Sequence, residues 1–354
     1  MIKTLQSYRF IFVLFVFFSH FSWGGIAAFD FGGECGVSFF FILSGFVLSI
    51  GNGCKFNDGT FRHKTFLFKQ LAKFYPLHIL MLAAFVLLSV KATGSIDVVK
   101  LLLNVFLLQS WMPDNAFNFS FNGVAWFLSD VMFFYLLFPW LYSRLMHASV
   151  KRLAILIILV LFVFVAFVSA VPDGLVNTFI YVFPPVRCID FSIGILLYRL
   201  YQSRQTRSLK HFLANGGGKI ALLLIELGII VVVVSTFIVY GFMPVKVRCV
   251  VLFWLPMSAV IYFSAVTDNS GGVLAKLLHG NKLTSLGRIS MEIFMVHLLV
   301  INVVKALLLD KGVVLGYAVT AALTLCMTVA VAYLLEKYFV SKLYLMLKNS
   351  VIKI

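Results

Sequence analysis

The stretch SYRFIFVLFVFFSHFSWG, residues 7–24, is apolar enough to lie in lipid, yet it holds Arg9 near its start and His20 within it. A charged or titratable side chain is costly in hydrocarbon, so such residues usually face an interior cavity and mark a functional site. Eleven residues of α-helix make almost three whole turns, which predicts Arg9 and His20 on one face, about 16 Å apart.

The rest of the chain has the same character. Of its 354 residues, 62% are hydrophobic and 12% charged, with a mean hydropathy of +1.04. That is far more apolar than a domain with a water-facing shell, and it predicts an all-α integral membrane protein. Ten spans are expected, near 9–28, 34–51, 74–92, 124–143, 152–171, 178–199, 219–240, 248–266, 286–308 and 313–335. Each is long enough for a hydrocarbon core of about 30 Å. With the N-terminus inside, 22 of the 29 basic residues fall on the cytoplasmic side, which predicts both termini cytoplasmic by the positive-inside rule. The net charge of +16 sits in short breaks between apolar runs, so it reads as orientation in a bilayer rather than as a nucleic-acid surface.

The run VVKLLLNVFLLQS near 98–110 is too short to span and is expected to be interfacial, re-entrant or part of an outer loop. The first span is expected to be retained rather than cleaved as a signal, because a signal core rarely carries Arg and His on one face. Residues 1–340 read as one polytopic domain and 341–354 as a short basic cytoplasmic tail. Five cysteines form no metal-ligand spacing with histidine, so no metal is expected.

Several other residues carry polar chemistry. In GGECGVSFFFILSGFVLSIGNG, residues 32–53, small residues interrupt an aromatic run; they either form a packing seam or, at Ser44 and Gly45, open space for a thin acyl chain. Lys69 and Lys73 are four apart on one helix face, as either a headgroup-facing patch or a site for phosphates at the cytoplasmic mouth. Arg187 and Asp190, three apart, read as a structural ion pair or as acceptor-binding groups. Glu292 and His297 are five apart, about 140° around a helix, and so are not expected on one narrow face. Asp30 and Glu34 either orient His20 or cap a turn. Trp126 opens the fourth span, as an aromatic-belt residue or a platform for a sugar ring.

Six segments occur together in order: Arg9 with His20 eleven residues later, GVSFFFILSGF at 36–46, FLFKQLAKFYP at 66–76, WFLSDVMFFYLLFP at 126–139, PPVRCIDFSIG at 184–194 and SLGRISMEIFMVH at 285–297. This series resembles the acyltransferase type 3 family of membrane-bound O-acyltransferases, over nearly the whole chain. The resemblance implies transfer of an acetyl or other short acyl group from cytoplasmic acyl-CoA, with acetyl-CoA favoured, to a glycan or lipid-linked saccharide across the bacterial inner membrane. It makes His20 the catalytic histidine and Arg9 its paired arginine, and places Lys69 and Lys73 where the family handles the CoA phosphates. Two departures stand out. Gln70 replaces the middle basic position, and Val131 stands where many relatives have glutamate, with Asp130 one place earlier.

Chemistry supports the roles independently. A sugar hydroxyl is a poor nucleophile, and a neutral imidazole can take its proton as it attacks a thioester. Arg9 stays protonated and suits phosphate binding or electrostatic support rather than proton transfer. Substrate contacts are expected from Trp126, Arg187, Asp190, Glu292 and His297. The competing classes are a transporter or glycan flippase, against which no inverted repeat is visible, and a non-catalytic scaffold of a surface-polysaccharide pathway.

Overall fold

A computed structural model describes residues 2–24, 26–27, 32–214 and 218–352. Helix α1 (Lys3–His20) ends in a two-residue hairpin, β1 (Ser22–Trp23) with β2 (Ile26–Ala27). The chain continues through α2 (Gly32–Asn57), α3 (His63–Thr93), α4 (Val98–Val105), α5 (Asn115–Asn118) and α6 (Trp126–His147). There follow α7 (Val150–Ala170), α8 (Pro184–Tyr201), α9 (Arg204–Ala214), α10 (Lys219–Tyr240), α11 (Val245–Arg248) and α12 (Trp254–Thr267). The remainder is α13 (Val273–Leu278), α14 (Asn281–Arg288), α15 (Ser290–Asp310), α16 (Tyr317–Leu335) and α17 (Ser341–Ile352). Asp30 and Lys353 lie outside the described residues.

Among the described residues, seven helical stretches are long and apolar enough to cross a membrane: α2, α3, α7, 177–201, α10, α15 and 317–347. The other three expected spans fall on α1, α6 and the stretch Val251–Thr267. Charged or polar ends temper α1 and α6, and the third stretch is short. The protein is therefore an all-α membrane protein, and among the described residues seven of the ten expected spans are clear by length and composition.

The chain folds as two compact units. One comprises residues 1–12, 34–61 and 136–288; the other comprises 13–33, 62–135 and 289–354.

In the first unit, α2 and α8 meet backbone to backbone. A Cβ on Gly45 would run into the Phe191 carbonyl oxygen, and one on Gly194 into that of Ile42. The start of α1 is clamped by the loop after α12: Thr4 donates from its backbone N–H (3.0 Å) and its hydroxyl (2.9 Å) to Asp268 Oδ1. His279 Nε2 lies 2.9 Å from the same oxygen. Burial alone would raise the Asp268 carboxyl, but these partners outweigh it and hold it below the usual range. Ser7 donates to the Leu278 carbonyl, and Gly287 lets α14 approach the Gln6 backbone. At the end of α6, Arg199 closes off the Leu145 and Ala148 carbonyls at 2.6 and 2.7 Å, satisfying acceptors a helix terminus leaves open. Buried Glu226 on α10 accepts the backbone N–H groups of Val273 and Leu274 and so caps α13.

In the second unit, α3 packs against α15 and α17, and α15 against α16. Helix α16 runs through a π-helical turn, Glu336–Val340, directly into α17. The expected boundary at 340/341 falls inside this continuous helical stretch, and residues 341–352 form a helix that packs on α3. Gly94, at φ 72°, ends α3 in the left-handed conformation that glycine adopts without strain.

The 98–110 run is an eight-residue helix followed by a 3₁₀ turn at Gln109–Trp111. Its polarity is inverted: Val98, Val99, Leu102, Phe106 and Leu108 are exposed, whereas Asn104, Gln109 and Ser110 are fully buried. The open carbonyls at the end of α4 are met from α3: Asn104 O accepts from His78 Nε2 and Val105 O from the Tyr75 hydroxyl, both at 2.9 Å. Leu107, held at φ 57°, presents its carbonyl to Ser129 at 2.6 Å.

Candidate functional site

In the second unit α1 delivers His20 as its last residue. The helix stops there because the chain turns into the β1–β2 hairpin at Gly24, at φ 60°. Phe17 and Phe21 pack with Ile301 and Ala321, and Trp23 Nε1 donates to the Leu315 carbonyl at 2.7 Å, which fixes this end of α1 on α15 and α16. His20 is exposed, so an incoming group can reach it.

The imidazole has a defined orientation. His20 Nδ1 lies 2.8 Å from the Val16 carbonyl oxygen, one turn back. A carbonyl only accepts, so Nδ1 carries the hydrogen, and in the neutral ring Nε2 keeps its lone pair. His297 on α15 is completely buried; its Nδ1 is 2.7 Å from the Phe294 carbonyl, so its Nε2 is also left with a lone pair. That lone pair sits 3.4 Å from His20 Nδ1, with ring centroids 5.1 Å apart. The turn carrying His297 is braced in two places. Asn122 donates to the Met295 carbonyl at 3.0 Å, and Phe127 meets Phe294 at 5.0 Å between ring centroids.

Glu292 is buried one turn and a half earlier on α15. Trp126 is also buried, against Phe127, and so is neither an exposed belt residue nor an open platform. Asp130 accepts from the Ser110 hydroxyl at 2.9 Å and anchors the 98–122 segment. Lys69, half-buried, and Lys73, exposed, occupy the first three turns of α3. Gln70, the departure from the family pattern, is buried and accepts from Lys73 Nζ at 3.3 Å.

In the first unit Arg9 is half-buried on α1. Arg187 and Asp190 are both completely buried, Nε to Oδ2 at 3.6 Å. Arg187 also donates to Ser38 Oγ at 3.1 Å and lies 5.0 Å above the Phe41 ring. Its guanidinium is enclosed by the chain's own groups, which favours the structural ion pair over acceptor binding. Ser44 donates back to the Phe40 carbonyl at 2.7 Å, and the α8 backbone fills the space beside Gly45. Of the two readings, packing seam or acyl-chain space, the backbone beside Gly45 is a helix seam, because only glycines at 45 and 194 permit so close an approach. Among the described residues no group of three or more His, Cys, Asp and Glu side chains converges as a metal site.

Sequence reasoning did not pair His20 with His297, 277 positions apart. No local spacing signals that contact.

Fold and site together define a polytopic membrane protein with a paired-histidine centre at the end of its first helix. A family model described as an acyltransferase domain matches residues 3–337, and the chain belongs to that acyltransferase type 3 family. A curated relative, acyltransferase MdmB of Streptomyces mycarofaciens, is 34% identical over 184 residues, covering 47% of this chain and 46% of that protein. The chain thus aligns with about half the length of the curated relative it matches. No solved structure matches it significantly.

Proposed function

We propose that this membrane acyltransferase moves an acetyl or other short acyl group from cytoplasmic acyl-CoA to a hydroxyl of a surface polysaccharide or its lipid-linked precursor. We place it in a bacterial inner membrane, with ten spans and both termini cytoplasmic. The observation that carries the reading is the His20 tautomer. With Nδ1–H held by Val16, the Nε2 lone pair is the one at the exposed end of α1. His20 Nε2 takes the acceptor hydroxyl proton as that oxygen attacks the thioester carbonyl. The tetrahedral intermediate then collapses, the C–S bond breaks, and the imidazolium returns the proton to the departing CoA thiolate. The net result is one ester and one free thiol.

Arg9 lies three turns along the same helix, about 16 Å from His20. A donor spanning that interval must be long and thin, as the pantetheine arm of CoA is. Lys69 and Lys73 supply ammonium groups for its phosphates. Replacing both by Ala is expected to raise the KM for acetyl-CoA on the order of tenfold with kcat little changed, the loss of about one charge-assisted hydrogen bond. Initial rates over a range of acetyl-CoA concentrations check this.

The function itself is tested by incubating membranes from producing and non-producing cells with acetyl-CoA labelled in the acetyl group. Label in a glycan fraction, released by mild base and matched by an O-acetyl signal in proton NMR, is the expected result. Unlabelled glycan with acetyl-, propionyl- and butyryl-CoA alike would overturn the reading and favour a flippase or scaffold.

A further inference from the structure

We infer that His297 is a positioning residue for His20, forming with it a directed two-imidazole dyad; this inference rests on the acyl-transfer reading above. Three hydrogen-bond directions fix the arrangement. His297 gives its Nδ1–H to the Phe294 carbonyl at 2.7 Å, because a carbonyl can only accept. Its Nε2 is then an acceptor, and it faces His20 Nδ1 at 3.4 Å. His20 Nδ1–H is therefore shared between the Val16 carbonyl at 2.8 Å and the His297 lone pair. Both acceptors demand the hydrogen on Nδ1.

The demand is needed because neutral imidazole in water prefers its hydrogen on Nε2. Left to itself, the exposed ring of His20 would spend most of its time with the wrong nitrogen free. Two further features suit His297 to the task. It is completely buried, which fixes its ring, and the turn beneath it is braced by Asn122 and Phe127. When His20 takes a proton at Nε2, its charge spreads to Nδ1–H, which already faces the lone pair of a neutral, desolvated imidazole. A hydrogen bond to a charged donor is about twice as strong as one between neutral groups, so the contact tightens as the reaction proceeds. His297 itself exchanges no proton with substrate.

The test compares wild type with His297→Phe, which keeps a ring of similar shape and loses the acceptor, and with His297→Gln, whose amide oxygen can accept. Two readouts are taken. One is labelled-acetyl transfer in membranes at matched protein levels. The other is the ¹⁵N spectrum of histidine-labelled full-length protein in phospholipid vesicles, with the His20 signal identified by its loss in His20→Ala. The expected result is an Nδ1–H tautomer for His20 in wild type and His297→Gln, and a measurably larger Nε2–H share in His297→Phe, where the Val16 carbonyl alone holds the hydrogen. Alongside it, kcat in His297→Phe is expected to fall on the order of tenfold or more, with the KM for acetyl-CoA unchanged within about twofold; His297→Gln recovers part of the loss. If the His20 tautomer is the same in His297→Phe as in wild type, or if it changes while kcat does not, the inference is overturned. If the tautomer depends on His297 but wild type transfers no acyl group, the dyad stands as geometry and the acyl-transfer reading fails.

Discussion

His20→Ala is expected to remove nearly all acyl transfer while leaving the protein folded in the membrane. General-base catalysis by a placed imidazole contributes about 10²- to 10⁴-fold, so the residual rate is expected at or below about one hundredth of wild type. The fold survives because His20 is the last residue of α1 and exposed, and its backbone-anchoring bond is to a carbonyl one turn away. The aromatic packing of Phe17 and Phe21 and the Trp23 bond to Leu315 hold that end of the helix without it. His20→Gln is expected to be equally inactive, because an amide hydrogen-bonds but takes no proton. Acetyl incorporation at matched protein levels, with elution on gel filtration as the folding control, decides the matter. Full activity in His20→Ala would remove the base from the mechanism.

The second large effect concerns stability. Gly194→Leu is expected to cost about 3 kcal/mol or more, because overpacking a close seam forces helices apart. Even the first carbon of the new side chain would meet the Ile42 carbonyl and the Phe46 amide. A control lies in the same unit. Gly228 on α10 has open space where its Cβ would go, so Gly228→Leu should leave the melting temperature unchanged or slightly higher through better helix propensity. Thermal melts of the two purified variants give opposite answers if the α2–α8 seam is as tight as described; similar melts would contradict it.

Much of the fold was readable before the structure, and the reasons are physical. Long apolar runs have no other stable home than a bilayer, so the helices appeared where hydropathy put them. Apolarity, not length, is what α1 lacks: its 18 residues include Lys3, Gln6, Arg9 and His20, and it falls outside the seven clear spans. Seams were harder to read. Gly45 offers the same letter whether a ligand or a neighbouring backbone occupies the space, and here it is the carbonyl of Phe191. The 140° between Glu292 and His297 did not by itself decide which of them reaches His20. A separation of 140° distinguishes faces only on a helix with an exposed side, and residues 292–297 are buried all the way round. His20 stood out because its setting is costly, whereas its partnership with His297 is a fact of tertiary packing that no spacing encodes.

The inverted segment from Val98 to Trp111 bears on how the chain is made. Eight helical residues cover about 12 Å, too little to be held in a bilayer by length as they emerge from the ribosome. Partners of its buried Asn104 and Ser110 lie on both sides in sequence: His78 comes earlier, whereas Ser120, Ser129 and Asp130 come later. Chains truncated near residue 112 should leave it open to added protease in membrane vesicles, and chains extended beyond α6 should protect it; equal cleavage of both would refute this order. The segment is thus a late fold, completed only when a helix not yet synthesised arrives to receive it.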